Sequence, residues 1–254
     1  MPGKVFTIGG QPRSGIAALD ITTGLATAWN PGVAGSSNFV LISNFQGQAP
    51  SVLLGSFLLC RRFAATSGRS GSTTGVATAF NPGGLSGTVN VVKIFDAGSL
   101  FLGGGQGAGI SKRDRTTGAA LSWNALLNSS SVLCIAVDGS TVYVGGQFTS
   151  AGGSTRNRGA AFDGTTAALL AWDPSLNNYP RTFTLAGSKV LVGGEFTQGS
   201  LITRNRLAEV VASTSAVTSW NPNMDNTLWS LEANGTTVYA GGDFPRSTRH
   251  RVWR

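Results

Sequence analysis

The sequence predicts an all-β chain that is assembled from copies of one unit. The stretch from 141 to 174, TVYVGGQFTSAGGSTRNRGAAFDGTTAALLAWDP, returns with many of the same letters from 189 to 222, an offset of 48 positions. A third copy opens at Val238 with VYAGGDF. Short apolar runs alternate with Gly, Ser, Thr and Asn, and no stretch has a helical period. A fixed period of about 40–50 residues with this pattern indicates a propeller or a solenoid.

Four short strands are predicted in the clearest copy. Val132–Val137 is an apolar run, Asp138-Gly139 predicts a hairpin turn, and Thr141–Phe148 is the second strand. Gly159–Asp163 and Ala168–Asp173 follow, with a Thr-Thr turn between them. Four antiparallel strands per unit are typical of a propeller blade. The predicted fold class is therefore an all-β propeller of about five four-stranded antiparallel blades, with a repeat of about 48 residues.

One large aromatic residue marks the end of each unit. The markers are Trp29, Phe80, Trp123, Trp172 and Trp220, at steps of 51, 43, 49 and 48 positions. Propeller blades stack face to face, and a large ring fills the wedge that opens between them toward the rim. Five markers therefore predict five blades in a single domain over residues 1–254.

Glycine pairs and arginines also recur once per unit. The glycines are Gly145, Gly146, Gly193, Gly194, Gly241 and Gly242. At these positions we expect the second strand to bulge or to approach a neighbouring backbone, where a Cβ would clash. The arginines are Arg156, Arg158, Arg204 and Arg206. Because they stand at one phase of the repeat, we expect them to pair with backbone carbonyls or nearby carboxylates.

Composition and charge exclude several classes of function. The net charge is +8, but the arginines follow the repeat, so we predict no specific nucleic-acid partner. No run of 18 apolar residues occurs, and therefore no membrane span is predicted. The start, MPGKVFTIGG, has no apolar segment of an export signal. Cys60 and Cys134 lie in different units and do not support a disulfide. No cofactor is predicted, and we expect a monomer.

Two segments depart from the repeat. In 57–73 the letters FLLCRRFAATSGRSGST replace the expected pattern, and codons for Cys60–Phe63 read one base later can encode Ala-Gly-Gly-Ser. We interpret this segment as a local frame slip, and the basic tail 245–254 as either disordered or a similar slip. The N-terminal residues match the middle of a unit and the C-terminal ones its first two strands. The two halves predict a closed ring, with a piece of a longer array as the alternative.

The combination GGxFT…RNR…TTG…WNP resembles the bacterial delta-60-type β-propeller repeats, a domain of unknown function. The later units match this pattern closely and the earlier ones loosely. The resemblance implies a large secreted or cell-surface bacterial protein in which the propeller displays or binds a partner. The predicted function is accordingly a non-catalytic scaffold that presents the loops Phe148–Arg158 and Phe196–Arg206 to a protein or a glycan.

The candidate ligand-binding residues are those between each glycine pair and the next Phe, namely Gln147, Glu195 and Asp243, with Ser56 as a degenerate counterpart. Near the inner strands they would form a ring of oxygens that suits a cation such as calcium or the hydroxyls of a sugar. Hydrogen bonds to a neighbouring blade are the simpler interpretation. The alternative function is a hydrolase or lyase that acts on polysaccharide with acids near the axis. No catalytic residue is assigned.

Overall fold

The described part of the chain is all β. The structure is a computed structural model, and it describes residues 6–13, 19, 20, 22–28, 38–42, 51–56, 64–67, 80–83, 85, 87–105, 107–129 and 131–243. All regular secondary structure in these residues is β-strand, so the all-β prediction is confirmed. The same residues contain no helix that is long and apolar enough to cross a membrane.

Twenty strands follow one another along the described residues. The first eight are β1 (Phe6–Ile8), β2 (Gln11–Arg13), β3 (Asn38–Ile42), β4 (Ser51–Ser56), β5 (Ala64–Ser67), β6 (Val89–Ile94), β7 (Ser99–Gly104) and β8 (Ile110–Asp114). The next five are β9 (Val132–Asp138), β10 (Thr141–Gly146), β11 (Ser150–Ala151), β12 (Ser154–Thr155) and β13 (Gly159–Asp163). The last seven are β14 (Pro180–Ala186), β15 (Lys189–Gly194), β16 (Gln198–Gly199), β17 (Ile202–Thr203), β18 (Leu207–Val211), β19 (Leu228–Asn234) and β20 (Thr237–Gly242).

Most strands form three-stranded antiparallel sheets. Consecutive strands pair in β3-β4-β5 and β6-β7-β8, whereas a small hairpin precedes the third strand in β9-β10-β13 and β14-β15-β18. The last sheet holds β19 and β20. We name each unit after its first strand. The first strands contact one another in the order β3, β6, β9, β14 and β19, so the units stand side by side.

The predicted fourth strand is present only as an isolated bridge, with two backbone hydrogen bonds to β13. In the fully described segment Ala168–Asp173, the backbone makes one isolated bridge, between Phe162 and Leu169. An equivalent single bridge occurs in the β14 unit. The chain leaves the sheet at this point because Trp172 turns inward between two units, where it is only 3% exposed. The β6, β9 and β14 units are therefore three-stranded sheets, each with a short bridging segment.

Aromatic rings fill the space between neighbouring units. Trp172 lies between Tyr143 of its own unit and Phe183 of the next, with ring centroids 5.1 and 5.9 Å apart. Trp123 makes similar edge contacts across the β6 and β9 units. Trp220 is half-buried and packs against the leucine cluster between the β14 and β19 units. Edge-to-face pairs of this kind add to the free energy that apolar burial supplies.

The first marker and both damaged segments lie partly or wholly outside the described residues. Phe80 is buried, but Trp29 and the tail 245–254 are outside, and of 57–73 only 64–67 is described. The five-blade count, the 48-residue repeat and ring closure stay predictions. In the last unit Tyr239 is 55% exposed, whereas its counterpart Tyr143 is 3% exposed. The β19 unit is therefore less covered than the β9 unit.

Candidate binding surface

Four of the five first strands, β6, β9, β14 and β19, carry a β-bulge next to the glycine pair. In the β9 unit, Val132 pairs with Gly146 and Cys134 pairs with Gly145, so Leu133 has no partner in the ladder. The same register shift recurs in the β6, β14 and β19 units. The residues left between the paired positions are Asn90, Leu133, Arg181 and Trp229. A bulge redirects the side chain that it frees, and all four units therefore present one such residue at the same place.

The glycines of the pair have no room for a side chain. A Cβ on Gly145 would lie 2.5 Å from Cys134 Sγ and 2.7 Å from Phe183 Cζ of the next unit. A Cβ on Gly146 would collide with the carbonyl oxygen of Ser131. Gly193 and Gly194 meet the same two kinds of obstacle in the β14 unit. The first glycine thus allows close contact between units, and the second allows the bulge.

The residue after each glycine pair is fixed through its backbone. The N–H of Gln147 donates to Ser131 O at 2.9 Å, and the N–H of Glu195 donates to Tyr179 O at 2.8 Å. Asp243 makes the equivalent bond at 3.0 Å. Because these bonds involve main-chain atoms only, the side chains are free to differ between units. Ser56, the degenerate counterpart, ends strand β4.

Glu195 and Asp243 are joined through an arginine and a tryptophan. Arg181 Nε donates to Glu195 Oε1 at 2.7 Å, and the Nη2 group contacts the same oxygen. The Arg181 guanidinium lies 4.9 Å from the centre of the Trp229 ring. Trp229 Nε1 in turn donates to Asp243 Oδ2 at 2.8 Å. The two carboxylates therefore belong to one chain of contacts that crosses from the β14 unit to the β19 unit.

A second stack extends this chain into the β9 unit. The Arg158 guanidinium lies 4.8 Å from the centre of the Tyr179 ring and donates to the carbonyl oxygen of Gln147. Tyr179 accepts the backbone bond from Glu195 described above. We call the whole set the arginine–aromatic ladder, which consists of Arg158, Tyr179, Glu195, Arg181, Trp229 and Asp243. Each cation–π contact joins two neighbouring units and is worth roughly 0.5–1 kcal/mol when exposed.

The three candidate ligand residues, Gln147, Glu195 and Asp243, contact an arginine or a tryptophan of the protein, whereas the sequence predicted a ring of oxygens around a cation or a sugar. Glu195 and Asp243 bind Arg181 and Trp229, and Gln147 takes part through its carbonyl oxygen. Among the described residues, no group of three or more His, Cys, Asp or Glu side chains comes together as a metal site would require. The binding role of these three residues stays a prediction, and its chemistry now includes the indole and the guanidinium.

Four arginines hold the loops against the sheets. Each guanidinium group donates to a backbone carbonyl oxygen. The pairs are Arg158 to Gln147, Arg206 to Glu195, Arg156 to Leu170 and Arg204 to Thr218. In addition, Arg156 lies 3.9 Å from Asp173. The arginines that recur in the repeat are therefore used to bind backbone carbonyl groups. The planar guanidinium suits this role because its N–H donors are held in a fixed geometry.

The two loops that begin at Phe148 and Phe196 have the same base and different tips. Both phenyl rings are fully buried, and each loop folds back as a small hairpin. At the tip of the first loop, Gly152 and Gly153 have φ of +55° and +77°. The corresponding Ser200 and Leu201 have φ of +46° and +64°. Leu201 is 92% exposed. A bulky residue is thus held in the left-handed region, which ordinarily favours glycine.

The electrostatics of the described residues are dominated by turns and burial. Asp20, Asp114 and Asp163 accept hydrogen bonds from the backbone and hydroxyl of a Thr three residues later, which lowers the pKa of each carboxyl. Burial raises the pKa of the Cys134 thiol well above its usual value, so this cysteine is an unreactive part of the core. Burial also lowers the pKa of Lys93, and the charge of Glu232 opposes that shift.

Sequence reasoning missed Tyr179, Arg181 and Trp229. Arg181 and Trp229 stand 48 positions apart, at the place that Leu133 occupies one unit earlier. The sequence did contain a signal for two of them. Arg181 and Trp229 stand near the start of apolar strands, where a charged residue or a large indole fits poorly unless a bulge turns it outward.

Comparison with known proteins supports the fold. No protein-family model matches the chain, and no curated protein matches it. The delta-60-type assignment therefore stays a prediction. Among solved structures, the chain is similar to the computationally designed Ika8 protein with a TM-score of 0.63 and 14% identity, over 89% of this chain and 61% of Ika8.

Two natural propeller-like structures give the same result. The WD40 β-propeller domain of Doa1 matches with a TM-score of 0.56 and 11% identity, over 78% of this chain and 58% of that one. Sqt1 of Saccharomyces cerevisiae matches with a TM-score of 0.57 and 11% identity, over 89% of this chain and 62% of that one. At these identities the similarity shows a propeller-like fold, and function is not transferred with it.

Proposed function

We propose that this chain is a non-catalytic β-propeller scaffold that presents loops for binding a protein or a glycan. We further propose that it is a monomeric part of a larger secreted or cell-surface bacterial protein of the delta-60 type. The observation that carries the binding role is the contrast between the fixed bases and the exposed tips of the loops Phe148–Arg158 and Phe196–Arg206. Binding residues are commonly carried on connections that a rigid scaffold holds in place.

The bases of these loops are held at several points. Asn128 Oδ1 accepts the N–H groups of Thr149 and Ser150, and Asn177 repeats this contact in the second loop. The arginine contacts described above fix the other end of each loop. A loop restrained in this way loses little conformational entropy when it binds a partner.

The second loop also exposes apolar surface. Leu201 is 92% exposed and Ile202 is 41% exposed, next to each other at the tip. The left-handed backbone at Leu201 costs roughly 1–2 kcal/mol for a residue with a Cβ. Strain of this kind at an exposed apolar tip supports a role in recognition, since stability alone would favour glycine there.

The enzyme alternative requires a different arrangement of acids. Glycoside hydrolysis needs two carboxyl groups across a bond, one of which has a raised pKa and serves as a proton donor. The three turn aspartates described above have lowered pKa values. Glu195 faces Arg181, and Asp243 faces an indole N–H. These partners favour binding over proton transfer.

A glycan array combined with an assay for new reducing ends separates the two functions. The purified chain is applied to neutral and acidic glycans and, in parallel, to immobilised bacterial surface proteins. We expect binding without release of reducing ends, and weaker binding in the double variant Leu201→Ser, Ile202→Ser. The matched control is Ser154→Ala, Thr155→Ala in the first loop.

Three outcomes would contradict the proposal. Release of reducing ends in proportion to the protein added would establish the enzyme instead. Binding to neither panel would remove the scaffold role. A dimer in sedimentation velocity experiments would show that the monomer prediction is wrong.

A further inference from the structure

Trp229 differs from every other residue at its bulge position. The equivalent residues in the β6, β9 and β14 units are Asn90, Leu133 and Arg181. Trp229 is 48% exposed, yet its ring is held by two contacts, the Arg181 guanidinium over one face and the bond from Nε1 to Asp243. The exposed area therefore belongs to the remaining face and edges of an indole whose orientation is fixed.

One carboxylate at the edge of the ring has acceptor capacity for a ligand. Asp243 Oδ2 accepts the hydrogen bond from the indole N–H. A carboxylate has about four acceptor sites, so Asp243 can take further donors from a ligand. Glu195 is bound to the Arg181 guanidinium, which covers the opposite face of the ring.

We propose that the open face of Trp229, together with Asp243 at the edge of the ring, binds a hexose ring of a neutral glycan. This inference rests on the proposed scaffold function and names the ligand of the arginine–aromatic ladder. A pyranose has a flat face of C–H groups that packs on an aromatic ring, and its rim of hydroxyl groups donates to flanking acceptors. The surface of Trp229 offers both features in one place.

The charges at this surface favour a neutral ligand. Arg181 is already paired with Glu195, and Arg158 donates to a backbone carbonyl. An acidic sugar would bring its carboxylate toward Asp243, and two carboxylates that share a site repel each other. Trp and Arg are also frequent at protein interfaces. The carboxylate of Asp243 at the edge of the ring favours a polyhydroxylated ligand over an apolar protein surface.

Isothermal titration calorimetry tests the site with defined probes. The full chain is titrated with cellohexaose, maltohexaose and chitohexaose, and with hexagalacturonate as an acidic comparison. We expect a neutral hexasaccharide to bind and hexagalacturonate to bind at least about tenfold more weakly. Trp229→Ala should weaken neutral binding about tenfold, which corresponds to about 1.4 kcal/mol, because the stacking surface for the sugar is lost.

Matched variants keep the result interpretable. Trp229→Phe retains a ring and should bind within about threefold of the unaltered chain. Leu133→Ala removes the side chain at the same bulge position of the β9 unit and should leave the affinity unchanged. Asp243→Ala should weaken binding about threefold to tenfold, since a hydrogen bond to a charged acceptor is lost. Near-ultraviolet circular dichroism confirms that each variant is folded.

The outcomes separate this inference from the scaffold proposal. Neutral binding that depends on Trp229 but not on Leu133 supports the inference. Binding that survives Trp229→Ala but is lost with Leu201→Ser overturns it and leaves the scaffold proposal standing. If none of the three neutral oligosaccharides binds, the hexose site is wrong, and the protein panel then decides the scaffold role.

Discussion

The β9 and β14 units have the same set of structural contacts, which we call the frame, and they differ in the side chains that they expose. Both contain a bulged first strand, a glycine pair, a buried phenylalanine and an arginine that donates to the residue after the glycines. At the bulge, Leu133 is replaced by Arg181, and after the glycine pair Gln147 is replaced by Glu195. The shared contacts are made to backbone atoms, and the differing residues project from them.

This difference separates residues that build the unit from residues that recognise a partner. The backbone contacts do not depend on the side chain at the bulge, so that position tolerates a leucine, an arginine or an indole. The β19 unit continues the same pattern with Trp229 and Asp243. We therefore expect substitutions in the frame to change stability equally in both units, and substitutions at the exposed positions to change binding.

The largest effect is expected where the frame leaves no room. Gly145→Ala and Gly193→Ala each place a Cβ against side chains of the following unit. Because a tightly packed interior accommodates added atoms poorly, each should lower the free energy of unfolding by about 3 kcal/mol. Denaturation in guanidinium chloride measures this. Gly153→Ala, where the space is open, is the control at about 1 kcal/mol.

A second test compares the two arginine contacts. Arg158→Met and Arg206→Met both remove a hydrogen bond from a guanidinium to a backbone carbonyl. We expect each to reduce the free energy of unfolding by about 2 kcal/mol, since a charge-assisted bond is lost and a carbonyl is left unpaired. Urea denaturation gives the values. A loss in one unit and none in the other would show that the units do not share this frame.

A substitution at the tip of the second loop should raise the free energy of unfolding, whereas the previous ones lower it. Ser200→Asn with Leu201→Gly introduces the residues that a turn with two positive φ angles favours. This variant should raise the free energy of unfolding by roughly 1 kcal/mol, after the entropic cost of glycine is deducted from the relief of strain. Scanning calorimetry measures the shift. An unchanged or lower midpoint would mean that Leu201 is not strained, and partner binding should weaken in the same variant.

The smallest expected effect is a dependence on pH. Asp163 accepts hydrogen bonds from Thr166 and Thr165, which lowers the pKa of its carboxyl in the folded chain, and the β14 unit has Val211 at the equivalent place. A lowered folded-state pKa contributes stability above about pH 4, which is lost as the pH falls through the folded value. In Asp163→Asn the thermal midpoint should therefore fall less between pH 6 and pH 3 than in the unaltered chain. Equal acid sensitivity would contradict this assignment.

The sequence was sufficient for the all-β class, because strand periodicity, turn residues and a repeat are all local or periodic signals. It also located the strands of the β9 unit closely, with β13 at Gly159–Asp163 as predicted. The fourth strand was predicted to be longer than it is, because the run before Trp172 is apolar in order to pack against the core between units. Its residues pair with β13 at one bridge and then approach the space between two units.

The partners within the candidate surface could not be predicted from the sequence. Arg181 and Trp229 lie on different strands, and their contact depends on how the β14 and β19 units are placed side by side. The register shift that turns both side chains outward arises from a glycine pair on another strand. The repeat identified equivalent positions, but the direction of each side chain follows from a bulge that periodicity does not report.

The bulge at the start of four first strands, β6, β9, β14 and β19, allows the recognition residue to change while the shape of the unit is kept. When a gene segment that encodes one unit is duplicated, the new copy keeps its β-strand pairing whatever residue stands at the bulge. Point mutations at that codon then alter what is recognised while folding proceeds as before. A lineage built from such copies can acquire new ligands at a faster pace than it acquires new architecture.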